Sequence, residues 1–256
     1  MKDRLYREVQ IFFMALTFLT RIPAPTWVSY SESALNQAPR YFPLIGAIVG
    51  GIGATVFWLA HLIWPVSIAV LVSMLVTIMI TGAFHEDGLA DTCDAFGGGW
   101  RKEQALEIMK DSRLGTFGVS GLILILALKY LALVNTPTSL IPLVLIAGHS
   151  LSRFVAITFL VTDAYVRSDA ARTSARGKSG AVAQKMSPGS LLVAALLGLL
   201  PLTLFNPRVW LALIPVFLIR WGMGRYFRKR IGGYTGDCLG ATQQITEVTF
   251  YLFALI

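Results

Sequence analysis

Charged residues are scarce in this chain. Only 14% of its 256 residues are Asp, Glu, Lys or Arg, whereas 55% are hydrophobic and the mean hydropathy is +0.65. A soluble domain of this size needs more charge to cover its surface, so the composition predicts a polytopic membrane protein. The net charge of +8 does not indicate nucleic acid, because the basic residues lie in short gaps between apolar runs. We therefore predict no nucleic-acid partner.

Cysteine is also rare. The two cysteines, Cys93 and Cys238, have no metal-ligand spacing and suggest no disulfide framework. The basic N-terminus and the apolar stretch 9–19 do not predict a cleaved signal peptide, since no small-residue cleavage site follows them. This stretch is too short to cross a bilayer of roughly 30 Å, and we interpret it as an interfacial or re-entrant helix.

Long apolar runs fill most of the remaining chain. They predict an all-α fold: a polytopic membrane helical bundle of about seven spans plus the N-terminal helix, in a single integral membrane domain over residues 1–256. Gly46 and Gly50 form a small-xxx-small pattern, which predicts a helix-packing face. Lys129 lies near the far end of a run, where we expect its amine to snorkel to the interface. The runs are 43–64, 66–83, 117–134, 139–161, 189–205, 209–224 and a last one that ends at 256.

The distribution of Lys and Arg predicts an orientation. Most of them fall on one side of the bundle if the N-terminus, segment 84–116 and the loops 163–188 and 225–235 share that side. The positive-inside rule makes that side cytoplasmic. No internal repeat of fixed period is visible, so nothing supports an inverted-repeat transporter.

One short stretch, residues 84–94, holds the acidic charge that the apolar runs lack. Its Asp87, Asp91 and Asp94 stand at i, i+4 and i+7 and therefore share one helix face. Three carboxylates there repel each other unless a cation lies between them, and oxygen ligands suit Mg²⁺ or Mn²⁺ completed by substrate phosphates. Gly88 leaves room for a substrate near the backbone. A solvated acidic face is the alternative, but the position directly after a span favours metal and phosphate chemistry.

Two neighbours of these aspartates have less defined roles. His85 is a candidate general base near neutral pH, and a plain interfacial histidine is an equal alternative. Glu86 lies off the aspartate face, so we expect only a supporting role for it.

A basic segment before the third apolar run has the residues of a phosphate site. Lys110 and Arg113 precede a predicted helix start at Gly115 and Thr116, where a guanidinium and the helix N-terminus can bind phosphate together. A positive-inside anchor is the alternative.

Polar residues also occur in and near the later runs. A glycine-rich segment, 232–240, opens the last helix and contains Asp237. Arg153 and Arg220 lie inside predicted spans, where an ionisable group is costly and indicates function by default. Pairing of these arginines with Asp237 or Glu247 is the structural alternative.

Three motifs resemble the cobalamin synthase family, the adenosylcobinamide-GDP ribazoletransferases. They are residues 84–94, 111–116 and 232–241, and the segments 18–25 and 41–46 are also similar to that family. Glu86 stands where the family has an apolar residue, which argues against an essential ligand there.

The resemblance implies a Mg²⁺-dependent phosphotransferase of the bacterial inner membrane, with Mn²⁺ as a substitute and the active site facing the cytoplasm. A hydroxyl of α-ribazole, or of its 5′-phosphate, attacks the pyrophosphate of adenosylcobinamide-GDP. GMP leaves, and adenosylcobalamin or its phosphate forms. The implied partners are these substrates and the lipid bilayer, and the glycine-rich helix faces allow a homodimer without requiring one.

The implied site combines three groups of residues from the motifs above and from the spans. The catalytic residues are His85, Asp91 and Arg113; the metal ligands are Asp87, Asp91 and Asp94; and the substrate- or phosphate-binding residues are Gly88, Lys110, Arg113, Gly115, Thr116, Arg153, Thr235, Gly236 and Asp237.

Two other functions stay open. A membrane phosphotransferase of the CDP-alcohol type also uses an aspartate-rich signature, but here Ala90 is followed by Asp91 and the later aspartate pair is absent. A divalent-cation transporter would also place acids at a membrane edge, although transport favours acids distributed along several spans.

Overall fold

The computed structural model describes residues 2–166 and 185–253 and confirms the all-α class. Within these two ranges the only β-type pairing is an isolated parallel bridge between Tyr165 and Tyr234. Most of the predicted basic loop 163–188 lies outside the described residues. The helices are α1 Lys2–Leu19, α2 Glu32–Gln37, α3 Phe42–His61, α4 Val66–Thr81, α5 Phe84–Gly98, α6 Lys102–Ile108, α7 Thr116–Val134, α8 Ile141–Ile157, α9 Phe159–Thr162, α10 Pro188–Leu199, α11 Leu213–Ile231 and α12 Gly236–Phe253, with 3₁₀ turns at Ala38–Tyr41, Leu200–Leu204 and Pro207–Ala212.

Three described segments are long and apolar enough to cross a membrane: Glu32–His61, Thr116–Val134 and Ile141–Thr162. Helices α4 and α5 meet that standard only when taken together, and they are bent by 86° relative to each other. Counting this pair as one span gives four candidate spans. The count by length and composition is thus lower than the predicted seven. The remaining predicted spans are helical, but α10 is short, α11 ends in a run of cations and α12 is rich in polar residues. Exposed leucines and isoleucines along α7 present a surface suited to lipid.

Helix α8 forms the centre of the bundle, and α3 packs closely along it. A side chain on Gly46 would overlap the carbonyl oxygen of His149, and one on Gly50 would lie 2.6 Å from the carbonyl oxygen of Leu145. These glycines bring the two backbones together, which confirms the predicted packing face.

A sharp bend separates α4 from α5. Gly82 and Ala83 both have left-handed backbone conformations, with φ of 66° and 58°. A side-chain-bearing residue rarely adopts this conformation, so Ala83 holds a strained turn. The backbone N–H of Arg21 donates to the carbonyl of Ile80 at 2.7 Å and ties the chain after α1 to this bend. The acidic helix therefore starts at a defined angle to the preceding helix.

A buried carboxylate, Glu247, links three helices in the interior. It pairs with Lys129 of α7 at 2.5 Å, lies 3.4 Å from Nδ1 of His149 of α8, and accepts hydrogen bonds from Gln243 and from Tyr251 of its own helix, the latter at 2.9 Å. Lys129 is only 2% exposed, so the prediction that it snorkels to the interface is wrong. Its charge is neutralised inside the bundle instead.

Arg220 of α11 is also buried, and it pairs with Asp163 at 3.2 Å rather than with Asp237 or Glu247. Its Nε also donates to the hydroxyl of Thr158 at 2.8 Å. Arg230 of α11 donates to the carbonyls of Phe96 and Gly99 at the end of α5. These contacts fix α11 against α9 and against the C-terminal end of α5.

We predict that Gly46→Ala destabilises the protein by about 1–3 kcal/mol, because the new methyl group overlaps the α8 backbone. A methyl group on Gly51, in the same helix, would meet no atom within 4 Å. Gly51→Ala is therefore the matched control, and helix propensity predicts no loss or a gain of up to about 1 kcal/mol. Thermal unfolding of the purified protein in detergent measures both, and equal unfolding temperatures for the two variants would contradict the close α3–α8 packing.

We predict that Lys129→Met destabilises the fold by about 3–5 kcal/mol, since it leaves the carboxylate of Glu247 buried without its closest cation. The double variant Lys129→Met with Glu247→Gln removes both charges. Its loss of stability should be smaller than the sum of the two single losses. Denaturant unfolding of all four proteins measures this, and strictly additive losses would show that the two side chains do not interact.

Candidate functional site

The candidate site lies where α5 crosses the start of α12. At the crossing, a side chain on Gly88 would lie 3.0 Å from the carbonyl oxygen of Asp237 and 3.3 Å from Cα of Gly240. Both glycines are buried. The prediction that Gly88 gives a substrate access to the backbone is therefore wrong: the backbone of α12 occupies that space, and the missing side chain serves helix packing.

The crossing brings Asp237 toward two aspartates of α5. We call Asp87, Asp91 and Asp237 the acidic cluster. All three lie outside the three spanning segments, and Asp87 is exposed while the other two are half-buried.

Burial and mutual repulsion perturb the acidic cluster. Burial, followed by the charges of Asp237, Asp87 and Asp94, raises the pKa of Asp91 to about 7. Burial is also the main reason that the pKa of Asp237 is raised to about 6, with the charge of Asp87 adding to it. Carboxylates that raise one another's pKa in this way are stabilised in their charged form by a nearby cation.

The third predicted metal ligand, Asp94, has a different role in the structure. Its carboxylate accepts hydrogen bonds from the backbone N–H groups of Gly115 at 2.7 Å and Gly118 at 2.8 Å, so it caps the N-terminus of α7. The helix N-terminus that we predicted to bind phosphate through Gly115 is thus occupied by a carboxylate of the chain itself. Asp237 takes the place in the cluster that we had predicted for Asp94.

The acidic cluster fits a metal that is shared with a ligand. Among the described residues, no three His, Cys, Asp or Glu side chains converge closely enough to enclose an ion by themselves. Mg²⁺ does not need such an enclosure, because it is usually held by one or two carboxylates together with waters and substrate phosphates. The all-oxygen donor set of the cluster suits Mg²⁺ or Mn²⁺ rather than a thiolate-binding metal.

The predicted phosphate-binding cations lie on an exposed loop before α7. Arg113 has 87% of its side chain exposed, and its guanidinium pairs with Asp111 at 2.5 Å. Within residues 2–166 and 185–253 this is its only ion pair. Lys110 and Thr116 are also exposed. The structure does not bring these three side chains onto the acidic cluster, and their phosphate contacts stay a prediction.

A pocket lies on the side of the crossing that bears His85, with about 600 Å³ of space that is partly open to solvent. Predicted site residues His85, Arg153 and Gly236 all line it. Thr235 does not: its hydroxyl accepts from the backbone N–H of Cys238 at 3.3 Å and caps α12. The structure therefore separates the predicted residues into a pocket group and an acidic group, which meet at Gly236 and Asp237.

Sequence reasoning missed two sets of residues around the site. Glu86 is buried and accepts a hydrogen bond from Gln244 at 3.0 Å, so it belongs to the interior polar network of α12 rather than to an acidic surface. The aromatic walls of the pocket were also missed. Their signal was present, because Phe18 and Phe42 belong to the segments 18–25 and 41–46 that already resembled the family.

Comparison with known proteins identifies the family of the chain. The family model described as cobalamin-5-phosphate synthase matches residues 11–255. Proteins named adenosylcobinamide-GDP ribazoletransferase are 48% identical in Shewanella frigidimarina, over 97% of this chain and 95% of the relative, and 43% identical in Shewanella woodyi, over 98% of this chain and 97% of the relative. No solved structure matches the chain. Nearly full-length agreement with both the family model and the relatives shows that the chain belongs to the cobalamin-5-phosphate synthase family.

Proposed function

We propose that this protein joins adenosylcobinamide-GDP to α-ribazole or α-ribazole 5′-phosphate in the membrane and releases GMP. The observation that carries the proposal is the α5–α12 crossing, which gathers acids from two distant parts of the chain beside a pocket with a buried cation. Family membership supports this reaction over a CDP-alcohol-type phosphotransferase or a cation transporter. The basic side of the bundle supports a cytoplasmic active site in the bacterial inner membrane.

In the proposed reaction a ribose hydroxyl oxygen of the acceptor attacks the phosphorus that carries the cobinamide. The new P–O bond replaces the bond between that phosphorus and the oxygen bridging to GMP, and GMP leaves with the electron pair. The hydroxyl proton passes to a base. His85 is the proposed base, because it is the one histidine that lines the pocket in the described part of the chain.

The proposed role of the acidic cluster is to bind the metal ion. One or two carboxylates of the cluster of Asp87, Asp91 and Asp237 would hold Mg²⁺, or Mn²⁺ in its place, together with the substrate phosphates. The ion would supply neutralisation of charge on the pyrophosphate and the leaving GMP. Asp94 holds α7 against α5 and so keeps the acidic helix in place. Arg113 and Lys110 are proposed to approach the phosphates from the exposed loop when a substrate is bound.

We predict that Asp91→Asn lowers GMP release by about 100-fold or more, since it removes charge from the position that must hold a cation against the pyrophosphate. The measurement is GMP release from adenosylcobinamide-GDP in Mg²⁺-containing proteoliposomes, with and without α-ribazole. Glu107→Gln, which removes an exposed acid of α6, is the matched control and should leave the rate unchanged.

The same assay tests the proposed acidic cluster and the proposed reaction independently. Full activity of Asp91→Asn would contradict the proposed acidic cluster, whereas GMP release that does not depend on α-ribazole would contradict the proposed reaction. Asp94→Asn should differ from Asp91→Asn by also destabilising the fold by about 1 kcal/mol, because it weakens the α7 cap.

We predict that Mg²⁺ activates the protein less well at low pH. With a pKa of about 7, Asp91 is ionised above neutral pH and protonated below it, so protons compete with the metal as the pH falls. The Mg²⁺ concentration for half-maximal GMP release should rise about tenfold between about pH 8 and about pH 6. The same half-maximal concentration at both pH values would contradict a role for Asp91 in holding the metal.

A further inference from the structure

The pocket beside His85, which we call the aromatic pocket, has apolar walls from several parts of the chain. Ligand sites in proteins are typically apolar cavities of this kind with a few placed polar groups. The pocket is partly open to solvent, so a ligand can enter from outside. The walls suit a flat aromatic ring. Their aromatic members are Phe18 of α1, Phe42 and Phe84 at helix starts, and Tyr165 and Tyr234 at the isolated bridge.

One buried cation, Arg153, faces this apolar pocket. It is 2% exposed and lies four residues before Ile157, the end of α8. Its Nη1 donates to the carbonyl of His149 at 2.9 Å and lies 3.2 Å from Nδ1 of the same residue, while its Nε has no hydrogen-bond partner. Within the described residues no carboxylate lies within ion-pair distance of it. Glu247 and Glu86 act on it only from farther away, and Glu247 is already paired with Lys129.

A buried guanidinium that contacts no carboxylate and leaves Nε without a hydrogen bond is costly, so its environment indicates a missing acceptor. Arg220 shows the contrast within the same chain. It is also buried, but Asp163, Thr158 and Thr162 all accept its hydrogen bonds. The unpaired guanidinium of Arg153 therefore points to an anionic group on a ligand, and a phosphate matches its donors best.

The hydrogen bonds already made by the pocket's polar side chains indicate which kind of aromatic ring the pocket can bind next to that phosphate. The amide of Gln243 is already used, because its nitrogen donates to Ser152 and Glu247 and its oxygen accepts from Gln244. A guanine ring has several donors and acceptors along its edge that would stay unpaired against such walls. A benzimidazole ring has no such edge, and α-ribazole is a benzimidazole nucleoside.

The pocket also adjoins the proposed reaction centre. Gly236 lines the pocket, and the next residue, Asp237, belongs to the acidic cluster. His85 lines the pocket two residues before Asp87. An acceptor held in the pocket would thus present its ribose between the two groups.

We propose that the aromatic pocket binds the acceptor as its 5′-phosphate, with the benzimidazole ring against the aromatic walls and the phosphate on Arg153. The inference rests on the proposed function, and it makes Arg153 the residue that selects the phosphorylated acceptor over α-ribazole.

The test compares two acceptors at saturating adenosylcobinamide-GDP. Arg153→Gln should lower kcat/KM for α-ribazole 5′-phosphate by about 10- to 100-fold and change kcat/KM for α-ribazole by less than about threefold, because only the first acceptor meets the guanidinium. Arg153→Lys keeps the charge but not the forked pair of donors. Its kcat/KM for α-ribazole 5′-phosphate should lie between the values for the wild-type protein and Arg153→Gln. Arg220→Gln is the matched control, since it removes a buried arginine away from the pocket and should leave the ratio of the two values unchanged.

A binding measurement keeps the inference separate from the proposed reaction. In detergent, α-ribazole 5′-phosphate should raise the unfolding temperature of the wild-type protein more than α-ribazole does, and Arg153→Gln should abolish the difference. If no GMP is released but this difference is present, the proposed reaction fails and the pocket assignment stands. Three results would overturn the pocket assignment. They are an equal loss of kcat/KM for both acceptors, an unchanged ratio of the two values in the Arg153 variants, and no difference between the two acceptors in unfolding temperature.

A phosphate group on a lipid is the other source of the same chemistry. If Arg153 binds a lipid headgroup, vesicles of phosphatidylglycerol should stabilise lipid-stripped wild-type protein but not Arg153→Gln, and the acceptor ratio should not change. That result would also overturn the proposal. Should Arg153→Gln fail to fold, the ratio measured with Arg153→Lys decides.

Discussion

The carboxylate of Glu247 is the interaction on which the arrangement of the interior helices depends. It joins Lys129 of α7, His149 of α8 and two residues of α12 in the interior of the bundle. A buried charge of this kind is tolerated only when its partners are in place, so it specifies one relative position of the three helices. Because α12 starts at the site, this ion pair and the close approach at Gly88 and Gly240 together position Asp237.

The site is composite because no single segment contains it. Close approach at Gly88 and Gly240 lets α5 and α12 cross, and the crossing divides the functional side chains between two sides. The acids collect on one side, and the pocket with His85 and Arg153 lies on the other. A pyrophosphate donor and an aromatic acceptor need two such adjoining environments, one that neutralises charge and one with apolar walls.

For Asp94 the predicted helix face is correct, but the predicted role as a metal ligand is not. Its spacing places it on the same helix face as Asp87 and Asp91, but the N-terminus of α7 lies directly opposite and offers two backbone donors. A carboxylate at a helix N-terminus is stabilised by these hydrogen bonds and by the helix dipole. Lys129 is a similar case, because only its buried partner distinguishes an internal ion pair from a snorkelling amine.

The amino-acid sequence by itself determined the membrane class, the all-α fold, the helix-packing glycines of α3 and the acidic motif. These features depend on composition and on residues within two helical turns of one another, which a local pattern records. Only the tertiary structure decided that Asp237 joins Asp87 and Asp91, that Asp94 caps α7, and that Arg153 faces an aromatic pocket without an anion. Those outcomes depend on contacts between residues far apart in the chain, and the packing of α12 against α5 and α8 creates them.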